Sequence, residues 1–422
     1  MRVEPRVVTA ANDFGFNLLR GLVTKDPSAN TFISPTSIHM ALAMAYNGAG
    51  GATKSEMAKA MGVDGIDVGA LNADYSELQQ ELTPKVTDSV EFTLANALWV
   101  STRFTIRQPF ASAVSKSYSA EVRKLDFTNS GAVQTINSWV NDKTHGKIRD
   151  ISTRLSPDTA LCLSDAIYFK GKWKDPFQPR DTRLLPFSTT SGSTITVPMM
   201  SRKALFRYVA KQDYQAIELP YRGDEYAMIV VLPAVGMRTS QLTGVLSARG
   251  WADMRASMIE MEGAFSMPKT KCEGSYGLIP SLQQLGIRRA FEKPADFPAM
   301  INEQVPLWVN AIDHKTTVAI DEQGTEAAAV TDETIVALSM AEFTMIVNRP
   351  YLVAIEHKAT GALLFVGEIN NPPVVTDNFV SAVFGPIRYY LYVVLTIALL
   401  VVYWRRSAIR RNKATRLRES AS

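Results

Sequence analysis

The 422-residue sequence is poor in cysteine and histidine and contains no low-complexity linker before residue 373. Its two cysteines, Cys162 and Cys272, are too few and too far apart for a disulfide framework or a zinc ligand set. They fit a reducing compartment or a core large enough to need no staples. Four histidines (His39, His145, His314, His357) are scattered, none at a metal-ligand spacing from a cysteine or carboxylate, so no metal is expected. No G-x-S-x-G or similar nucleophile signature occurs. "GAGGATKS" puts Thr53 where a phosphate loop needs its second glycine, and it follows a helical pattern rather than a strand. These absences leave no support for an enzyme and none for a cofactor. No N-x-[ST] sequon is present, which argues against a eukaryotic secretory route.

Charge of one sign is also scarce outside the last segment. Seven basic residues and one acid follow Trp404, and the rest of the chain carries 38 basic and 40 acidic residues. The net charge of +4 is therefore a property of the tail, and no nucleic-acid partner is expected from the body. A hydrophobic content of 46% supports a full core.

Periodicity places the elements. Phe14, Leu18, Leu19 and Leu22 recur at helical spacing in an N-terminal stretch without the apolar run of a signal peptide. "SPTSIHMALAMAYNGAGG" opens on a capping Ser34 with Pro35 at the first helical position and reads as a buried helix. Helical patterns continue over 51–61 and 68–82, and "AVQTINSWVNDKTHGKI" reads as a surface helix ended by Gly146. "SVEFTLANALWV" alternates as a strand, and "ALCLSDAIYFKGKW" is a strand apolar on both faces. Short strands are predicted over 183–235, then a helix near 239–248. No internal repeat interrupts residues 1–373, which read as one mixed α+β domain. A linker over 374–383 precedes "FGPIRYYLYVVLTIALLVVYW", residues 384–404, with Arg388 as its one charge and aromatics at both ends. That composition predicts a transmembrane helix in contact with lipid, followed by a basic tail over 405–422. The expected localisation is a single-pass membrane protein, its main domain on the cytosolic or the extracellular side.

One stretch resists a simple assignment. "DEQGTEAAAV", Asp321 to Val330, has no bulky apolar side chain before Val330, so it cannot anchor itself in a core. It is able to enter a sheet without being obliged to.

Several phrases together resemble the serpin family: "NTFISPTSIHMALAMAYNGAGGATKSEM", "INSWVNDKTHGKI", "LSDAIYFKGKWKDPF", "ELPYRGDEYAMIVVLP", "SLQQLGIRRAF", "VNAIDHKTTVAIDEQGTEAAA" and "ALLFVGEINNP". They occur in the family order across about residues 10–373. The resemblance implies a single domain of about nine helices and three β-sheets with an exposed reactive loop. It also implies a gap in the central sheet between the strands near 159–171 and 311–322. The activity implied is suicide inhibition of a serine protease, with cysteine proteases as a second target class; the alternative is a non-inhibitory carrier or chaperone-like binding protein.

On that resemblance Glu322, Gly324, Thr325, Glu326, Ala327, Ala328 and Ala329 form the hinge of the reactive loop. After cleavage the hinge slides into the sheet as a new strand. Small side chains suit it, because Thr325, Ala327, Ala329 and Thr331 would face inward beneath a layer of helices. Pairing some fifteen residues at about 0.5–1.5 kcal/mol each would release on the order of ten kcal/mol. Non-inhibitory members usually carry a proline, a charge or a bulky residue in the hinge, and none stands between Ala327 and Thr331.

Counting seventeen positions from Glu322 puts the reactive bond at Leu338–Ser339, counting back from "NRPY" gives Ser339 as the attacked residue, and Met340–Ala341 is the alternative bond. No Arg or Lys lies between Glu326 and Arg349, so chymotrypsin-, cathepsin-G- or elastase-like proteases are the expected partners. The resemblance also places a shutter at Ser34, Ser37, Asp165 and His314, and a breach tryptophan at Trp173. The family usually has Asn where this chain has Asp165. A carboxylate only accepts, so His314 is expected to be protonated or donating, with loop insertion then dependent on pH; an Asp165 that merely bonds the ring is the other reading. The stretch matching the family's heparin-binding helix, "GALNADYSELQQELTPK", has only Lys85, so no strong heparin binding is expected, and the protein is expected to be a monomer.

Overall fold

The computed structural model describes residues 5–372 apart from 84–88, 152–154, 243, 294, 306 and 326–341. Helices form where apolar side chains recur every three to four positions. Helix α1 (Pro5–Lys25) buries Phe14, Leu18 and Leu19 and leaves Arg6, Asn17 and Arg20 in solvent. Helix α2 (Pro35–Tyr46) is buried along its whole length, as its nearly all-apolar sequence requires. Ser34 caps it, its hydroxyl accepting from the Ser37 N–H at 3.2 Å. The remaining helices are α3 (Gly51–Met61), α4 (Val68–Glu81), α5 (Gln108–Tyr118), α6 (Ala132–Lys143), α7 (Ala248–Ala256) and α8 (Ile279–Gln284). Eight α-helices are thus present among the described residues, against about nine implied. The helix predicted near 239–248 is instead one 3-10 turn, Thr239–Gln241, and α7 starts only where Ser247 caps the Gly250 N–H.

The strands are β1 (Thr31–Ile33), β2 (Val90–Ser101), β3 (Glu121–Leu125), β4 (Leu161–Lys172), β5 (Arg183–Ser188), β6 (Thr194–Ala210), β7 (Tyr214–Pro220) and β8 (Tyr226–Pro233). They continue with β9 (Ile259–Pro268), β10 (Thr270–Gly277), β11 (Val309–Ile320), β12 (Gly324–Thr325), β13 (Phe343–Ile346), β14 (Tyr351–His357) and β15 (Ala362–Ile369). One sheet runs β1-β15-β14-β8-β7-β6-β9-β13, with β5 on β6; the other runs β10-β11-β12-β4-β2-β3. Among the described residues two sheets stand where three are implied. The reason is β6, whose 17 residues pair with β5, then β9, then β7, and so join two expected sheets into one. Strands β8, β14 and β15 are buried throughout and form the floor on which α1 and α2 pack.

The membrane assignment is corrected. Among the described residues no helix is long and apolar enough to cross a bilayer. Only α1 has the length, at 21 residues, and one of its faces is polar. The predicted single-pass localisation is overturned on that finding, and the segment 384–404 that prompted it lies outside the described residues.

Candidate loop-insertion site

The central feature of the smaller sheet is the seam between β4 and β11. These strands are parallel and pair directly from Leu161 with Val309 to Tyr168 with Thr317. The expected gap is therefore closed along most of its length. Past Tyr168 and Thr317 the strands splay, and β12 occupies the wedge. It runs antiparallel to both neighbours, Thr325 facing Ile320 on one side and Gly171 on the other.

A tight reversal produces this arrangement. The Asp321 carboxylate accepts from the N–H groups of Gln323 and Gly324 at 2.9 and 3.2 Å, turning the chain back on itself. Gly324 has φ +153°, and a Cβ there would lie 2.0 Å from the Gly171 carbonyl oxygen, so only glycine fits. Thr325 is 0% exposed, and its hydroxyl lies 2.7 Å from the Tyr221 hydroxyl. Gly171 makes room for that ring, since a Cβ on it would come within 2.6 Å of Tyr221.

The segment before β12 is held by three carbonyls. Asp321 O accepts from the Trp173 indole at 2.9 Å, Gln323 O from the Trp173 N–H at 2.9 Å, and Glu322 O from the Phe177 N–H at 2.8 Å. Trp173 in turn stacks on Tyr221, centroids 4.7 Å apart. The Glu322 carboxylate accepts from Lys269 Nζ at 2.7 Å and from the Thr182 hydroxyl at 2.8 Å. Burial alone would raise this carboxyl, but those two hydrogen bonds outweigh it and hold the group below its ordinary value. Of the expected hinge, Glu322, Gly324 and Thr325 are thus placed; Glu326, Ala327, Ala328, Ala329 and Thr331 lie outside the described residues, as does the expected reactive bond Leu338–Ser339.

Further along the seam, Ser34, Ser37, Asp165 and His314 come together, each 0% exposed. His314 Nδ1 lies 2.8 Å from Asp165 Oδ2, bridging β11 and β4, and the Ser37 hydroxyl donates to Asp165 Oδ1. The Ser34 N–H, which can only donate, points at His314 Nε2 at 3.1 Å. Nε2 must therefore carry the lone pair and Nδ1 the proton. A neutral imidazole satisfies both neighbours, so the ring donates to Asp165 without needing a second proton.

Periodicity gave no hint of Tyr221, Thr182 and Lys269, whose partners are at least 53 positions away. It also missed Asn96, which faces Asp165 from β2 with its amide buried and without a hydrogen-bond partner among the described residues.

Known proteins share this architecture. The family model described as Serpin (serine protease inhibitor) matches residues 9–372. A serpin-like protein of Thermococcus kodakarensis is 35% identical over 379 residues, covering 87% of this chain and 86% of that protein. The leukocyte elastase inhibitor of Bos taurus is 34% identical over 391 residues, covering 86% and 99%. Human thyroxine-binding globulin, solved in complex with thyroxine, superposes with a TM-score of 0.80 at 28% identity, covering 87% of this chain and 98% of that one.

Proposed function

The chain belongs to the serpin family, described as serine protease inhibitors, and from that premise we propose that it is a suicide-substrate inhibitor of chymotrypsin- or elastase-like serine proteases. The protease attacks the bond after Leu338, the hinge runs into the β4–β11 seam, and the acyl-enzyme is trapped. The observation that carries the reading is the placement of β12. The first two residues of the strand to be inserted already sit in the wedge, with a buried Thr325 side chain and antiparallel pairing on both sides. Continued pairing along the same line follows a track the strands have begun to open.

The residues after Thr325 suit that track, because Ala327, Ala328 and Ala329 bring no bulk or charge to the helix-covered face. Leu338 fills an apolar specificity pocket, and the absence of Arg and Lys leaves nothing for a pocket with a buried carboxylate. The test is incubation with chymotrypsin and with trypsin. Chymotrypsin should give an SDS-stable complex of the summed masses and a released fragment beginning at Ser339, and trypsin should give no complex. Leu338→Arg should reverse the preference by tenfold or more.

A second reading is a carrier, favoured by the likeness to thyroxine-binding globulin. Loop cleavage without any covalent complex would select it.

A further inference from the structure

A cavity of about 620 Å³ lies at a corner of the larger sheet, lined by the end of α1, the β5–β6 turn, the loop after β8 and the β13–β14 connection. It shares no lining residue with the loop-insertion site. Its volume is in the range of about 300–1,000 Å³ that small-molecule sites occupy.

The walls are fixed by bonds that need no occupant. Ser188 N–H donates to Asn348 O at 2.8 Å, tying the β5–β6 turn to the β13–β14 connection. Arg349 donates from Nε and Nη2 to the Pro233 carbonyl at 3.0 and 2.6 Å, and from Nη1 to Asn348 Oδ1 at 3.1 Å. A guanidinium has five N–H groups, so one is left on each terminal nitrogen of Arg349 for a further acceptor. No carboxylate of the described residues is within ion-pair distance of Arg349, and burial pulls its pKa below the ordinary value. It is a cation short of both water and a counter-charge. Arg238 adds a second, exposed guanidinium at the rim, likewise unpaired among the described residues.

The opposing charge is Glu368, a buried carboxyl. Burial raises it, while hydrogen bonds from Thr239 and Asn370 act in the other direction. Against this one carboxyl the lining carries two guanidinium groups, Arg238 and Arg349. The rest of the lining includes Val23, Val235, Met237 and Pro350. Val235, 86% exposed, is among the lining side chains.

We propose that this cavity binds a small amphipathic organic acid, its carboxylate on Arg349 and Arg238 and its hydrocarbon body against Val23, Val235, Met237 and Pro350. A carboxylate meets two cations that have no carboxylate partner among the described residues, and an apolar body covers side chains that water otherwise wets. An alcohol of the same length gains only the second term, and an amine meets repulsion.

The test is calorimetric titration of the full-length protein with decanoate, 1-decanol and decylamine. Decanoate should bind saturably at one per chain, and the other two at least tenfold more weakly. Arg238→Glu should weaken decanoate tenfold or more, and Met237→Trp, which fills the cavity, should abolish its binding. A melting transition like the parent's checks that each variant is folded. No saturable decanoate binding, equal or tighter binding of decanol or decylamine, or parental affinity in both folded variants would each overturn the assignment.

Discussion

Around Thr325 the seam between β4 and β11 is wedged apart by a two-residue strand, whereas around His314 the same two strands pair directly. The contacts differ in kind. The Thr325 end is held by a clasp at the edge of the fold: the Glu322–Lys269 ion pair, with Lys269 partly in solvent, and the Trp173–Tyr221 stack. Of these groups Lys269 reaches solvent, whereas Trp173 and Tyr221 are buried. The His314 end is closed by groups without any exposure, and its key bond crosses the seam. A strand entering there would move β4 and β11 from one strand spacing, about 4.8 Å, to two, about 9.6 Å. The 2.8 Å contact between His314 and Asp165 cannot survive that step. On the proposed mechanism, the difference means that β12 marks where insertion starts and the buried polar contact at the other end is what completion must break.

The largest expected effect tests the whole length of the seam. Cleavage of the loop should raise the melting temperature on the order of 10 °C or more, because about fifteen residues of new pairing follow the track of β12. Thr325→Arg should remove that gain. It forces a charge into a site with 0% exposure beside Tyr221 and should turn the inhibitor into a plain substrate. Complex formation with chymotrypsin, read as the moles of inhibitor needed per mole of enzyme, checks it; a Thr325→Arg variant that traps protease at parental stoichiometry would contradict the insertion track.

A smaller effect belongs to the His314 end. Asp165→Ala leaves the Ser37 hydroxyl and the His314 Nδ1–H without an acceptor and should cost the uncleaved protein about 2–5 kcal/mol. The cleaved form, in which the His314–Asp165 bond is already broken, should lose less, so the difference between the two melting temperatures widens. Asp165→Asn should stay within about 1 kcal/mol of the parent, since its oxygen can accept from His314 while its amide donates to Ser37 Oγ. Equal losses in cleaved and uncleaved Asp165→Ala would show that the bond is not broken on insertion.

The smallest effect belongs to the clasp. Glu322→Gln should cost about 1–2 kcal/mol, since it removes one charged partner from a partly exposed pair. The folded protein holds the Glu322 carboxyl below its ordinary value, so its stabilisation is complete above the usual carboxylate range. It is lost as pH falls through the depressed value. Trp173 fluorescence during acid titration should report this loosening in the parent and not in Glu322→Gln. Identical acid profiles would exclude the clasp as its source.

Much of this molecule could be read from local pattern. The spacing of Phe14, Leu18 and Leu19 places α1, the cap at Ser34 and Pro35 starts α2, and the apolar residues on either side of Ser164 and Asp165 in Leu161–Phe169 mark a strand covered on both faces. These are legible because a helix or strand records in its own sequence which side meets the core. The absence of a bulky apolar side chain between Gly324 and Val330 is likewise legible in the sequence. Pattern failed where distant chain segments set the outcome. The 17-residue run of β6 merges two sheets through pairings that no window of sequence contains. The Glu322–Lys269 and Tyr221–Thr325 contacts join positions 53 and 104 residues apart. The tautomer of His314 is fixed by the Ser34 N–H, 280 positions away. By itself, then, the sequence determined the elements, the buried faces and the family likeness. Only the tertiary structure decided the closed seam with its wedge and the gathering of Arg238 and Arg349 at one cavity, because register and charge placement depend on what folding brings alongside, which local sequence does not encode.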